Sequence, residues 1–332
     1  MITFEYRRLR EQAKRSLTLA NVSPRKLVML HSGVTIGLGL VLSVLSYLLG
    51  LGIDQTGGLS GIGTRSILET AQSVLQMVNL ILLPFWSLGY IRAALQWKAG
   101  QPVDSNTLFF GLKCWGPALR KMLLQGVVYF ALMMAGAQLA GLLYMLTPAA
   151  KGLYAVVEEM TAQGITDPYE MMQSQAYVAA AMKAAPFVGA GMLLFLLPVA
   201  WRLRFADYAL MEAPEQGALR AMLRSLGLTR KRFLPLLKLD LRFWWFYLAE
   251  GLILVLGYGD LLLEFAGVEL GLHGDAAMFV FYIAALICEF GLYVWKKNEV
   301  FVTYALAYEQ LAQPREVPRK PKPQNVPWNY EQ

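Results

Sequence analysis

The sequence predicts an all-α membrane protein, a polytopic transmembrane six-helix bundle with three amphipathic helices on its cytoplasmic side. Three observations predict this class. Hydrophobic residues make up 56% of the 332 residues and charged residues only 16%, which is more apolar surface than a soluble core of this size needs. Apolar stretches of about 20 residues, the length that crosses a bilayer as a helix, recur along the chain. Basic residues are concentrated in alternate segments between these stretches.

The first element is an amphipathic helix in residues 1–26, which we expect to lie on the inner leaflet. Basic residues occupy most of its surface, and the remaining face is apolar. That apolar face consists of Ile2, Tyr6, Leu9, Ala13 and Leu17. The apolar stretch that follows lacks a small-residue cleavage site, so it is predicted to be a span rather than a signal peptide.

Six spans are predicted within a membrane domain of residues 27–312. A helical hairpin in residues 149–185 is predicted on the external side, because Asp167 followed by proline is typical of a helix start and Gly164 of a turn. The Pro- and Lys-rich tail, residues 313–332, is predicted to be disordered. The spans are residues 27–52, 70–91, 122–147, 186–201, 234–259 and 276–295.

Two further amphipathic helices are predicted on the cytoplasmic side. One begins after Asp104, a residue that can cap a helix, and leads into span three. The other begins at Pro214 and leads into span five. The apolar face of the first consists of Leu108, Leu112, Trp115 and Leu119. The apolar face of the second consists of Leu219, Met222, Leu223, Leu226 and Phe233.

The distribution of charge predicts that both termini lie in the cytoplasm. With six spans in that orientation, all but four of the 30 lysine and arginine residues are cytoplasmic. With residues 201–238, which include Lys238 at the start of span five, counted as cytoplasmic, the exceptions are Arg65, Lys151 and Lys183 on the external side and Arg242 within span five. This bias follows the positive-inside rule and predicts a multi-pass protein of the bacterial cytoplasmic membrane.

Three ionisable residues are predicted near the cytoplasmic ends of spans four and five. A charge at the centre of a membrane helix costs about 2.5–3.5 kcal/mol, so each needs water or a partner. Arg204, Asp240 and Arg242 are close enough to the cytoplasm to reach it along their side chains. A pair between Arg204 and Asp240 would satisfy two of them at once.

Two carboxylates, Glu250 and Glu289, are predicted deeper in the membrane. One interpretation is a proton or cation site in the interior of the bundle. The other is a pair of hydrogen-bonded or protonated carboxyls that fix the packing of the helices. With Arg204, Asp240 and Arg242, these two residues form the candidate intramembrane polar site.

The basic segment before span five is predicted to contact anionic phospholipid headgroups. Its candidate contact residues are Arg220, Arg224, Arg230, Lys231 and Arg232. The preferred hypothesis for function is therefore a non-enzymatic scaffold or accessory subunit that contacts anionic lipid and partner membrane proteins. A transporter or permease that uses Glu250 and Glu289 is the alternative, and an enzyme acting on lipid is the third possibility.

Signals for enzymes, cofactors, metals and nucleic acid are weak. Cys114 and Cys288 are far apart with no CxxC motif and are predicted to be packing residues. His31 and His273 are the only histidines, and neither has an evident catalytic or metal-binding partner in the sequence. No Walker, dinucleotide or HExxH motif occurs. The net charge of +7 is distributed beside the spans and does not form the basic patch that nucleic acid requires.

Several short motifs resemble those of a family of bacterial multi-pass integral membrane proteins of uncharacterised function. The motifs are Tyr208-Ala-Leu-Met-Glu-Ala-Pro-Glu215, Ala221-Met-Leu-Arg-Ser225, Arg230-Lys-Arg-Phe233, Leu237-Lys-Leu-Asp-Leu-Arg-Phe-Trp-Trp245, the stretch from Gly89 to Leu112, and Ala307-Tyr-Glu-Gln-Leu311. Arg242 and Glu212-Ala213 depart from the family's pattern. The resemblance implies a membrane domain and supplies no catalytic residues.

Overall fold

In a computed structural model of the protein, every regular element that the structure describes is helical. The structure describes residues 6–55, 62–230, 232–259, 263 and 274–313. The predicted tail from 314 onward, Lys231 and His273 therefore lie outside the described residues. Within them, the fold class is all-α as predicted, with no strand.

The helices are numbered in chain order. The first eight are α1 (Tyr6–Thr18), α2 (Pro24–Gln55), α3 (Ile62–Lys98), α4 (Phe110–Lys113), α5 (Trp115–Met145), α6 (Lys151–Ala162), α7 (Pro168–Gln173) and α8 (Gln175–Met182). The others are α9 (Ala185–Leu203), α10 (Ala206–Glu212), α11 (Gly217–Thr229), α12 (Phe233–Arg242), α13 (Trp244–Gly257), α14 (Gly274–Leu292) and α15 (Asn298–Ala312). A π-helical turn, Tyr293–Lys297, joins α14 to α15.

Four stretches in the described part of the chain are long and apolar enough to cross a membrane. They are Pro24–Ser46, Trp115–Met145, Ala185–Glu212 and Phe279–Ala312. Each contains most or all of one predicted span, which makes the chain compatible with a membrane protein. The other two predicted spans differ: 70–91 lies inside α3, and 234–259 is divided at Phe243 into α12 and the shorter apolar helix α13.

The long helices pack mainly in three pairs: α2 with α3, α5 with α9, and α13 with α14. Small residues permit the closest of these contacts. A Cβ atom on Gly136 would lie 2.5 Å from the carbonyl oxygen of Gly191, and one on Gly191 would lie 2.4 Å from the Cβ of Ala140. Because dispersion and close backbone approach stabilise helix pairs in lipid, these small residues hold α5 against α9.

Most of the buried core lies at one end of the three pairs, in a region that we call the base. It is formed by α1, the start of α2, the end of α3, and helices α10, α11, α12 and α15. Helix α15 is its centre, with 11 of its 15 residues buried. Its buried residues include the polar Asn298, Glu299 and Thr303 as well as apolar ones, so polar partners in neighbouring helices are needed to enclose it. The sequence predicts residues 298–312 only as the end of the membrane domain and does not indicate this role.

Helices form at two of the three positions where amphipathic helices were predicted. Part of each of these helices is buried against other helices of the protein. Leu9 and Ala13 of α1 are fully buried in the base. In α11 the buried residues are Ala218, Ala221, Met222, Ser225 and Thr229. Leu219 and Leu223, which were predicted on the apolar face of this helix, are more than half exposed. The small residues are buried because they let α11 approach α5 and α10 closely.

The third predicted amphipathic helix, after Asp104, does not form as one element. A 3-10 turn, Ser105–Phe109, is followed by the four-residue α4, and a break at Cys114 precedes α5. Asp104 occupies the N-cap position of the 3-10 turn, where its backbone N–H donates to Thr107 Oγ1 at 3.3 Å. Leu108 is buried, whereas Leu112 and Trp115 are exposed, so the expected common face is divided.

Residues 149–185, predicted as an external hairpin, contain the three helices α6, α7 and α8. Asp167 caps α7 by accepting a hydrogen bond from the Tyr169 N–H at 2.9 Å. Gly164 has a φ of +85°, which favours glycine at the turn. Both local predictions in this segment are confirmed.

Candidate functional site

The ion pair expected between Arg204 and Asp240 is present at the edge of the base. The two guanidinium Nη atoms of Arg204 lie 2.7 and 2.6 Å from the two carboxylate oxygens of Asp240. Trp201 Nε1 donates to the same carboxylate at 2.9 Å, and the Tyr304 hydroxyl donates at 2.5 Å. The Asp240 carboxylate therefore accepts four hydrogen bonds, which offset its desolvation.

The position of Arg204 depends on how α9 ends. Ser225 of α11 donates from Oγ to the carbonyl of Arg202 at 2.8 Å and accepts the N–H of Phe205 at 3.1 Å. Thr229 Oγ1 lies 3.2 Å from the same Arg202 carbonyl. These hydroxyls satisfy backbone groups that a helix end leaves without partners, and they fix the turn that directs Arg204 toward Asp240.

The second polar group lies where α13 meets α14 and the π-helical turn. Glu250 lies on α13, and Glu289 lies on α14 four residues before Tyr293. The Tyr293 ring is stacked with that of Phe246 on α13, with the ring centroids 6.5 Å apart. The packing of α13 against α14 thus brings the two deep carboxylates to one helix pair.

Lys297 is enclosed by aromatic rings. Its side chain is buried, and its Nζ lies 3.9 Å from the centroid of the Tyr293 ring, 5.3 Å from that of Tyr90 and 5.8 Å from that of Phe301. Such cation–π contacts replace part of the hydration that the ammonium loses. Nζ also lies 3.5 Å from Nδ1 of His31.

His31 is 1% exposed and packs between the rings of Tyr90 and Trp86. Within the described residues, its Nε2 and the neighbouring Ser32 Oγ are buried without a hydrogen-bond partner. A proximity of Nδ1 to an ammonium requires that this nitrogen accept, which places the ring proton on Nε2. His31 is thus a neutral ring at the end of the second group.

A tyrosine pair connects the two groups. The hydroxyls of Tyr247 and Tyr304 are 2.6 Å apart, and Tyr304 is bonded to Asp240 as described. Tyr247 lies three residues before Glu250 on α13 and interacts electrostatically with it. We call the whole set the polar chain: His31, Lys297, Tyr293, Glu289, Glu250, Tyr247, Tyr304, Asp240 and Arg204.

One predicted member does not join the polar chain. Arg242 is exposed at the end of α12 and has no polar partner among residues that the structure describes. Arg242 lies on the exposed face of α12, whereas Asp240 lies on the face that contacts Tyr304 of the base.

The predicted lipid contacts divide into two classes. Arg224 pairs with Glu212 at 2.9 Å and lies over the Tyr308 ring, and Arg232 donates to the Leu311 carbonyl at 3.1 Å. These two arginines contribute to the base itself. Arg220 and Arg230 are exposed. Lys231 lies outside the described residues.

Five residues of the polar chain were not predicted as site residues: His31, Tyr247, Tyr293, Lys297 and Tyr304. Lys297 was interpreted only as the end of span six. The π-helical turn adds a residue to the helix and rotates the side chains that follow, and such turns are frequent at functional sites. No local sequence signal marks it. Tyr247 lies three residues before Glu250, a spacing that places the two side chains next to each other on a helix. This spacing was the one indication in the sequence that Tyr247 belongs to the polar chain.

The described residues contain no group of three His, Cys, Asp or Glu that could hold a metal ion. Cys114 packs against the base, as expected of a packing residue, whereas Cys288 is exposed. No family model, curated protein or solved structure matches the chain, so the resemblance to a family of bacterial membrane proteins stays a prediction.

Proposed function

We propose that the protein is a non-enzymatic scaffold or accessory component of the bacterial cytoplasmic membrane, which binds anionic phospholipid at its base. The proposal includes six spans with both termini and the base on the cytoplasmic side. The charge distribution supports this orientation, since the basic segments converge on the base.

The observation that carries the lipid-binding proposal is a cleft of about 540 Å³ between the start of α5 and the start of α11. Arg120 and Arg220 lie at its edge, and both are exposed without an ion-pair partner in the described part of the chain. Its wall is largely apolar and includes Leu123, Leu124, Val127 and Leu219.

This combination fits a phospholipid with a negative headgroup. Two guanidinium groups can bind the phosphate with charge-assisted hydrogen bonds. The apolar wall continues along α5, one of the membrane-length helices, which gives an acyl chain a surface to follow. Arg120 was not among the predicted contacts, whereas Arg224 and Arg232 have partners within the base. The proposed lipid contacts are therefore Arg120, Arg220 and Arg230.

The scaffold part of the proposal rests on the paired arrangement of the long helices. Only 11% of the most apolar stretch of α5 and 6% of that of α9 and α10 are buried. Each of these helices therefore has broad apolar surface beyond its own partner helix. Such an apolar surface can contact lipid or the helices of other membrane proteins.

The test is lipid retention by the purified full-length protein in native mass spectrometry after exposure to phosphatidylglycerol or phosphatidylcholine. We expect the wild type to retain phosphatidylglycerol preferentially and R120Q/R220Q to retain it several-fold less. The matched control is R242Q, because Arg242 is also exposed but lies away from the cleft. Equal retention of the two lipids by the wild type, or an equal loss in R242Q, would count against the proposal.

The alternative function, a transporter or permease that uses Glu250 and Glu289, is supported by the polar chain. The cleft between α5 and α11 and a second cleft between α1 and α15 are not lined by these carboxylates. Uptake of solute into proteoliposomes that is abolished in E250Q and E289Q would favour this function over the scaffold.

A further inference from the structure

The outer face of α5 has one polar side chain at membrane depth. Gln138 lies about 5 Å along the helix axis from the middle of the predicted span 122–147, at the rise of an α-helix. Its side chain is exposed and has no hydrogen-bond partner in the part of the chain that the structure describes. Gln125, the other glutamine of α5, donates to the Tyr129 hydroxyl at 2.5 Å. Hydrocarbon around Gln138 would leave the donors and the acceptor of its amide without partners, which is costly.

Gln138 belongs to a row of residues that recurs every three or four positions on the surface of α5. This row, which we call the seam, consists of Ala131, Met134, Gln138, Gly141 and Met145. Gly141 is half-buried, and the other four residues are exposed. A spacing of alternately three and four residues forms one line along the side of a helix. It is typical of a helix that packs against another along its length.

The seam faces away from α9. Gly136 and Ala140 form the contact of α5 with α9, where both approach Gly191. Gln138 is two residues from each of them, and two residues rotate a side chain by about 200° around a helix. The pairing of α5 with α9 therefore leaves the seam open to the surroundings.

We propose that the seam is the contact surface between two copies of this chain, whose α5 helices pack in parallel with Gln138 against Gln138. The proposal deepens the scaffold part of the proposed function and rests on it for the placement of α5 in the membrane. It does not depend on lipid binding at the base. A primary amide both donates and accepts, so two identical glutamines satisfy each other. Copies inserted in the same orientation have residue 138 at the same depth, which brings these amides together without a shift in register.

The composition of the seam favours a second copy over lipid. Acyl chains have no hydrogen-bonding groups and leave the amide unsatisfied. Ala131 and Gly141 lie on either side of Met134 and Gln138 in the seam, and small residues let two membrane helices approach closely. One polar residue in an otherwise apolar seam also fixes the register of a helix pair. Contact of the same surface on both copies gives a closed two-fold dimer.

The first test is disulfide crosslinking of the full-length protein in native membranes, with Cys114 and Cys288 replaced by alanine. We expect M134C and M145C to form products with the mass of two copies. The matched control is L143C, because Leu143 is 56% exposed but lies two residues from Met145, on the opposite side of α5. The proposal is overturned if the seam variants do not crosslink, if L143C crosslinks equally, or if the product contains a different protein.

A second measurement isolates the amide and keeps both cysteines. Copies fused at the N-terminus to donor and acceptor fluorescent proteins are placed in liposomes, and energy transfer is followed as the ratio of lipid to protein rises. We expect Q138L to weaken association about 3- to 10-fold, as expected for the loss of a hydrogen bond between membrane helices. Q138N keeps an amide and should retain most of the association. Equal association of Q138L and the wild type would overturn the proposal.

The lipid-retention experiment separates this proposal from lipid binding at the base. A protein that retains phosphatidylglycerol preferentially but stays monomeric in liposomes overturns the dimer alone. A protein that dimerises through the seam but retains both lipids equally supports the dimer and contradicts only the lipid-binding proposal.

Discussion

Asp240 accepts hydrogen bonds from Arg204, Trp201 and Tyr304, which come from two other parts of the chain, 36 to 64 residues away. No window of sequence around Asp240 contains these partners. The pair with Arg204 was predictable because both residues are costly at the same membrane boundary. The hydrogen bonds from Trp201 and Tyr304 to Asp240 were not predictable, because aromatic residues at that boundary have several possible roles.

The charge of Asp240 should be important for stability. D240N leaves Arg204 without its counter-ion, so we expect a loss of about 2–3 kcal/mol, below the range for a fully buried pair because both side chains keep some exposure. The measurement is thermal unfolding of the purified protein in detergent. R242Q, two residues away on the exposed side of α12, should change stability by less than about 0.5 kcal/mol. Equal effects of the two variants would show that the Asp240 network does not stabilise the fold.

Ser225 is a second residue whose side chain we expect to contribute to the stability of the fold. S225A removes the acceptor of the buried Phe205 N–H and the donor to the Arg202 carbonyl, so we expect a loss of about 1–3 kcal/mol. The control T161A removes an exposed hydroxyl that bonds only to its own helix. Chemical unfolding of both variants checks this difference, and a T161A effect as large as that of S225A would contradict it.

Among the elements, the end of α3 and the turn before α4 show how a sequence motif is explained by packing. The stretch from Gly89 to Leu112 was one of those that suggested a family resemblance. A Cβ on Gly89 would lie 1.8 Å from the Leu108 carbonyl oxygen, and one on Gly111 would lie 2.0 Å from that of Phe85. These two glycines let the 3-10 turn contact α3 directly. The two glycines are visible in the sequence, but their contacts with Leu108 and Phe85 are not.

We expect G89A to be destabilising because backbone must move to admit the methyl group. Overpacking of this kind costs about 1–3 kcal/mol or more. The matched control is G126A in α5, where a Cβ meets nothing within 4 Å and alanine should be neutral or slightly stabilising in a helix. Melting temperatures of the two variants provide the measurement. A stable G89A protein would contradict the close approach of α3 and the turn.

The helix boundaries show where local patterns are insufficient. Span five was predicted as one stretch, 234–259, because its residues are nearly all apolar. The chain instead breaks at Phe243, whose N–H donates to the Asp240 carbonyl three residues earlier. In α11 the residues buried against the protein are mainly small, while Leu219 and Leu223 of the predicted apolar face are exposed. Contacts with distant helices decide which residues are buried, and hydrophobic periodicity alone does not specify those contacts.

For the whole molecule, the all-helical class and four of the membrane-length helices followed from composition and from apolar stretches. The base did not, because burial of a complete helix such as α15 resembles a further membrane segment in sequence. Its carboxylate, amide and tyrosine side chains, from Asn298 to Tyr308, find partners only in the folded protein. Tyr90 bonds to Asn298, and Arg10 bonds to Glu299.

The proposed orientation can be tested on the whole protein in intact cells. In a background with Cys114 and Cys288 replaced by alanine, D167C should react with a membrane-impermeant maleimide added outside. R230C should react only after the membrane is opened. Labelling of R230C from outside, or protection of D167C, would contradict the arrangement with the base in the cytoplasm.

The contact between α1 and α15 has a consequence for the order of assembly during synthesis. These helices lie almost 300 residues apart in the chain, yet Leu9 and Ala13 are covered by the same core that encloses α15. The ribosome releases α15 after every other described helix. In the proposed membrane topology, the three helix pairs can therefore enter the bilayer one after another before α1 meets its partner helix. Closure of the base is the final step, and a nascent chain arrested before residue 298 should leave α1 open to proteases.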